Sequence, residues 1–172
     1  MKKSKFIALA FSLIICFAKD LFAQDGAQYI GLRLGAPSSL SYKYFSSENN
    51  AFEVTAGTYG SRRGFTSTNG FRWYSVSAAY LLHKDLEQIE NLKWYYGGGA
   101  SAQYWTWNDT FYQDQYSGTS FGVQGYIGLE YNFENIPLNL TLDWVPTVFI
   151  NGFNSGFGAG FGSLAVRYVI SK

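Results

Sequence analysis

The stretch Pro137-Leu-Asn-Leu-Thr-Leu-Asp-Trp144 alternates apolar and polar residues without a break, and it sets an ionisable Asp143 between Leu142 and Trp144. Period-two alternation is the pattern of a half-buried strand, because successive side chains of a strand point to opposite faces. Two environments fit it. In a water-soluble sheet the polar face meets solvent and Asp143 needs no partner. In a barrel set in lipid the apolar face points outward and Asp143 is sealed inside, where a charge must be paired.

Seven further segments carry the same period. Residues 29–35 set Ile30, Leu32 and Leu34 against Gly31 and Arg33, and residues 39–45 set Leu40, Tyr42 and Tyr44 against Ser41 and Lys43. A third begins near Ala51 and sets Phe52, Val54 and Ala56 against Glu53, Thr55 and Gly57; residues 71–82 set Tyr74, Val76, Ala78 and Tyr80 against Ser75, Ser77 and Ala79. In residues 92–104 the second face holds Lys93, Tyr95, Gly97, Gly99, Ser101 and Gln103, and in residues 120–133 it holds Gly122, Gln124, Tyr126, Gly128 and Glu130. Residues 163–170 end the series, with Leu164, Val166, Tyr168 and Ile170 opposite Ala165, Arg167 and Val169. No stretch beyond residue 23 has a helical period.

Eight is the smallest even number of strands that closes into a bacterial outer-membrane barrel, and such strands need roughly 9–11 residues to cross the bilayer. The expected fold is therefore all-β: an eight-stranded antiparallel up-and-down transmembrane β-barrel. Residues 45–50, 83–91 and 132–136 are then periplasmic turns, and 36–38, 59–70, 105–119 and 146–158 are outside connections. That topology puts Tyr44, Phe52, Tyr80, Trp94, Tyr131, Phe133 and Tyr168 at the periplasmic ends of outward rows, the place of an aromatic girdle. Trp73, Tyr74, Tyr104, Phe121 and Trp144 would serve the other rim. A soluble sandwich or lipocalin-like barrel is the alternative, but it would show Lys and Glu on its outward face and would have to fit the long apolar rows into one small interior.

Composition agrees. Aromatic residues make up 20% of the 172 residues and charged residues only 15%, against about 25% charged in a typical soluble domain. The first residues, a basic start followed by a 13-residue mostly apolar run over 6–18 and Ala23 before Gln24, read as a secretory signal peptide over residues 1–23. The run is short for a spanning helix, which takes about 20 residues. Ile15 before Cys16 argues against a lipoprotein signal, which wants a small residue there. The barrel domain then spans 24–172, lacks Cys, and keeps 9 basic and 11 acidic side chains. That balance makes no electrostatic footprint for nucleic acid.

The segments Gly31-Leu-Arg-Leu-Gly-Ala-Pro-Ser-Ser-Leu-Ser-Tyr-Lys-Tyr-Phe45, Trp94-Tyr-Tyr-Gly-Gly-Gly-Ala100 and Ile127-Gly-Leu-Glu-Tyr131, with the opening stretch, resemble the small outer-membrane β-barrel proteins of Bacteroidetes. Those in turn look like relatives of the OmpA and OmpX barrels. The resemblance covers essentially the whole mature chain. It implies location in the cell outer membrane, contact with outer-membrane lipid and lipopolysaccharide, and insertion by the barrel-assembly machinery. It implies little about activity. Such barrels usually finish in an aromatic residue, whereas here Ser171-Lys172 follow an outward Ile170.

Candidate chemistry is sparse. His83, the single histidine, reads as a turn residue exposed to the periplasm, remote from Asp143 and from any nucleophile. One His and no mature Cys leave no His/Cys metal site, and no cofactor is expected. No His is expected on the outer rim, where a lipid A-modifying barrel enzyme would need one, so a role without catalysis is expected, structural or in surface interaction. Inward rows carry Arg33, Lys43, Glu53, Lys93, Glu130, Asp143 and Arg167. In a lumen that eight strands leave just wide enough for side chains, these read as an ion-pair network that plugs the barrel, with Arg167 the expected partner of Asp143. A narrow gated pore is the functional alternative for the same residues. The second candidate site is the third outside connection. There Trp105, Trp107, Phe111, Tyr112 and Tyr116 interleave with Asp109 and Asp114, a pattern suited either to recognising a surface glycan or protein or to continuing the hairpin.

Overall fold

The structure, a computed structural model, describes residues 26–62, 70–109, 114–152 and 156–171. The expected signal peptide, Phe111 and Tyr112 lie outside the described residues. Eight strands follow one another: β1 Gln28–Leu34, β2 Ser38–Ser47, β3 Asn50–Arg62, β4 Gly70–Asp85, β5 Leu92–Asp109, β6 Asp114–Asn132, β7 Leu138–Phe149 and β8 Gly156–Ser171. Each pairs antiparallel with the next, and β1 pairs with β8, so the sheet closes into the eight-stranded antiparallel barrel that the alternation predicts.

Register fixes which way each residue faces. Leu142 pairs with Leu129 and Leu164, and all three are exposed; one step along, Thr141 pairs with Glu130 and Ala165, and all three are fully buried. The outward surface is set with Ile30, Leu32, Val54, Val76, Val123 and Ile127, while Lys, Glu, Arg, Ser and Thr fill the inside. This inverts the ordinary distribution of a soluble protein and leaves a continuous apolar belt that water alone would not tolerate. Phe52 and Tyr80 pack at 5.0 Å between ring centroids, and Trp94 stacks on Tyr96 at 5.4 Å, near the strand ends that carry the β2–β3 and β4–β5 turns.

Two aromatics depart from the expected girdles. Trp73 faces inward and is buried, because it shares the parity of Ser75 and Ser77. Tyr44 keeps its outward register but is buried: the chain at Gly26 runs so close over its ring that a Cβ there would come within 2.5 Å.

Several strands outrun their alternating segments. β4 continues to Asp85, and β7 passes Pro146 to end at Phe149. Proline has no N–H to give a ladder, and here it sits where the β7–β8 register shifts between Val145 and Thr147, so no bond is lost to it. β5 and β6 stay paired up to Asp109 and Asp114, so most of the expected third connection is hairpin. Strands of 18 and 19 residues rise about 45 Å at ordinary rise and tilt, well beyond an apolar band of about 25 Å.

The extra length belongs to one side of the barrel. The β2–β3 ladder ends at Ser38–Thr58 and the β6–β7 ladder at Gly122–Phe149, whereas β3, β4, β5 and β6 remain paired beyond these points. Beyond β7 the chain follows β6 a little further: Ile150 and Asn151 bond to the Phe121 backbone at 2.8 and 2.7 Å, and Gly152 lies against Ser120. A four-stranded apron therefore stands above the closed part of the barrel, while β1 and β2 are joined by just Gly35, Ala36 and Pro37.

Candidate functional site

Inward-pointing charges on six strands meet at mid-barrel. Arg33 on β1 donates to Glu53 Oε1 at 2.8 Å and to Asp143 Oδ2 at 2.5 Å. Arg167 on β8 donates to the same Glu53 oxygen at 2.5 Å, to Ser41 Oγ at 2.8 Å and to Thr141 Oγ1 at 2.5 Å. Lys43 Nζ lies 2.5 Å from Glu130 Oε2, 3.8 Å from Glu53 Oε2 and 4.7 Å above the Tyr95 ring. Asp143 also accepts from Tyr95 Oη and, at 2.5 Å, from Ser163 Oγ. Three cations thus face three carboxylates, all buried. A lone charge in this position would cost several kcal/mol, and mutual pairing, with hydrogen bonds from Ser41, Tyr95 and Ser163 to the carboxylates, is what makes the layer tolerable.

Two glycines let the side chains reach one another. Tyr95, Gly128 and Asp143 form one cross-strand row, with glycine in the middle. A Cβ on Gly128 would sit 2.5 Å from the Asp143 Cβ and 2.9 Å from the Tyr95 ring, in the space the Tyr95 hydroxyl crosses to reach the carboxylate. Gly31 plays the same part between Ser41 and Arg167, its neighbours in register, which bond over it.

Three expectations are corrected here. Lys93 does not join the network. It lies at the rim beside the β2–β3 and β4–β5 turns, bonded to Asp85 at 3.2 Å and to the Glu48 carbonyl at 3.3 Å, because its long stem lets the ammonium reach water while Glu130 turns inward to Lys43. Asp143 pairs with Arg33 rather than Arg167. In register Arg167 stands opposite Asn139 and Asp143 opposite Ser163, four residues along the strand, a gap of about 13 Å. His83 is not an exposed turn residue: β4 carries it into the lumen, where Nε2 lies 3.3 Å from Glu130 Oε2 and the ring stacks on Tyr95 at 5.0 Å. The Ser75–Ser77–Ala79 parity, extended by four residues, reaches His83. The roles of Tyr95, Ser41, Thr141 and Ser163 as hydrogen-bond partners carried no signal beyond their inward parity.

Below the charge layer Tyr29, Phe45, His83 and Tyr95 fill the half of the lumen nearer the short turns, with Tyr29 edge-on to Phe45 at 5.2 Å. Above it the lumen holds a cavity of about 50 Å³, lined by hydroxyl and amide side chains that include Thr55, Ser77, Ser101, Gln103 and Gln124, with Arg33 the one charged residue in its wall among the described residues. Above that again, on the same inner face, the apron carries Tyr59, Trp73 and Trp105 in one register row and Phe71 and Trp107 in the next. Trp105 and Trp107 therefore face the bore. Asp109 and Asp114 pair across the hairpin, and Tyr116 pairs with Trp107. Among the described residues no three His, Cys, Asp or Glu side chains gather in a way that could hold a metal ion.

No family model and no curated protein matches this chain. Solved structures do. The N-terminal β-barrel domain of Pseudomonas aeruginosa OprF superposes with a TM-score of 0.60 at 15% identity, over 86% of this chain and 98% of that one. Neisserial surface protein A gives 0.58 at 15% identity over 86% and 94%. Ail, the attachment invasion locus protein of Yersinia pestis, in complex with the heparin analogue sucrose octasulfate, gives 0.53 at 14% identity over 86% and 100%. At such identities the likeness is one of fold: the chain has the architecture of small outer-membrane barrels.

Proposed function

We propose that this chain is an integral outer-membrane protein, exported by a cleaved signal peptide, whose barrel serves the envelope structurally or in surface interaction and performs no catalysis. The observation that carries the reading is the inside-out distribution of residues: an apolar belt outside and a balanced, paired charge layer inside. The single histidine supports the absence of catalysis, since it is buried against Glu130 inside the lumen, below the charge layer and away from any substrate at the outer rim. Lipid and lipopolysaccharide are then the natural surroundings of the belt, and the barrel-assembly machinery its route of insertion. Fractionated cells are expected to hold the protein in the outer membrane, with a fast-migrating band in unboiled samples that shifts on heating. A protein found in the periplasmic fraction, or one without a heat-dependent shift, would sink the reading.

One contact favours a second reading, a narrow gated pore. Lys43 bonds Glu130 but stands 3.8 Å from Glu53 Oε2, an oxygen with no hydrogen-bond partner, so an exchange of carboxylates is a short movement. Single-channel recording in planar bilayers decides it. The pore reading expects discrete steps that change with Glu130→Gln; an absence of steps, with Glu130→Gln altering only stability, leaves the closed plug.

A further inference from the structure

We propose that the inner face of the apron is a binding site for the end of an uncharged saccharide chain. The proposal rests on the reading of the chain as an outer-membrane protein with a surface role, and it moves the recognition site from the tip of the third connection to the wall beneath it. Rows read upward along β3 to β6 change character abruptly. Thr55, Ser77 and Ser101 come first, then Ser75, Gln103 and Ser120, and then the aromatic row of Tyr59, Trp73 and Trp105. Tyr59 is 39% exposed and Trp107 44% exposed, so two of the rings present surface to the bore. Neighbouring rings brace them, with Tyr59 and Trp73 at 5.1 Å and Phe71 and Trp107 at 6.2 Å. Gly118 completes the arrangement. It continues the aromatic row on β6, and a Cβ there would stand 2.8 Å from the Trp105 ring, so glycine gives that ring its bed.

Aromatic faces above hydroxyl and amide groups suit a pyranose, whose C–H faces stack on rings while its hydroxyls bond to Gln and Ser. The cavity of about 50 Å³ has room for a hydroxymethyl group or water but not for a sugar ring. The ring must therefore rest on the aromatic rows with only its substituents reaching toward Gln103. Charge decides the class of sugar. Among the described residues Arg33 is the only charged one in that cavity wall, and it is already engaged by Glu53 and Asp143, so none of them offers a free cation there to sulfate or carboxylate groups. Among the described residues the apron is approachable from one side, where β1 and β2 turn through Gly35, Ala36 and Pro37 well short of it.

The test uses the full mature barrel in nanodiscs free of lipopolysaccharide, on an array of neutral and sulfated glycans, with intrinsic tryptophan fluorescence to follow titration by maltohexaose and the best array hits. The expected result is saturable binding of at least one neutral oligosaccharide, weakened about tenfold or more by Tyr59→Ala with Trp107→Ala, the loss of two stacked rings. Tyr104→Leu, on the opposite face of β5, should leave binding within about twofold. Retention of sulfated glycans alone, no binding whether or not the nanodiscs contain lipopolysaccharide, or equal affinity in the double variant would overturn the proposal. Binding that appears only when nanodiscs contain lipopolysaccharide supports it and identifies the saccharide as the membrane's own. A barrel that sits in the outer membrane and shifts on heating but binds no glycan loses this proposal alone.

Discussion

Arg33 is the residue on which the lumen turns, since it alone joins Glu53 to Asp143. Removing one member of a buried pair leaves an uncompensated charge and costs about 3–5 kcal/mol, whereas an exposed pair is worth about 0–1 kcal/mol. Arg33→Met should therefore lower the unfolding free energy of the barrel, measured by urea titration in lipid vesicles, by an amount of that first size. Lys93→Ala, which breaks only rim contacts with an exposed Asp85 and the Glu48 carbonyl, should leave it almost unmoved. The glycines are equally telling. Gly128→Ala inserts a methyl where the Tyr95 hydroxyl passes, and overpacking of this kind costs about 1–3 kcal/mol. If Gly128→Ala unfolds at the unaltered midpoint, the row Tyr95–Gly128–Asp143 is looser than its geometry implies.

At the scale of the strand, β7 shows why the opening stretch was legible. Its alternation is carried by side chains of unmistakable polarity, and parity needs no knowledge of partners: Leu140, Leu142 and Trp144 are exposed while Asn139, Thr141 and Asp143 are buried. Strand ends were less legible, because the pairing that sustains β5 to Asp109, or carries β7 through Pro146, is supplied by the neighbouring strand. His83 and Trp73 fall to the same cause, both having the right parity but lying at or past the edge of a recognised segment. The outward row also makes a quantitative prediction. Leu142→Arg, flanked by Leu129 and Leu164, should cost about 2–4 kcal/mol if it lies near the bilayer midplane. Equilibrium unfolding from lipid vesicles would measure it, and a cost below about 1 kcal/mol would place Leu142 at an interface instead.

For the molecule as a whole, closure was readable from the even count of alternating segments, but the partners within the lumen were not. Which cation meets which carboxylate depends on register accumulated around eight strands, and a sequence states parity without stating height. Orientation is open to direct test, and the absence of Cys after residue 23 makes the experiment clean. With a membrane-impermeant thiol reagent added to intact cells, Tyr59→Cys on the apron should label, while Glu87→Cys in the β4–β5 turn should label only after the outer membrane is breached. The reverse pattern would turn the barrel over. The two glycine crossings carry a lesson for engineering. Grafting Arg33, Lys43, Glu53, Glu130, Asp143 and Arg167 onto another eight-stranded scaffold would not transplant this plug, because half of its wiring is written in missing atoms. A designer would have to copy Gly31 and Gly128 as faithfully as the charges, and an alanine at either crossing would leave a correct list of residues unable to touch.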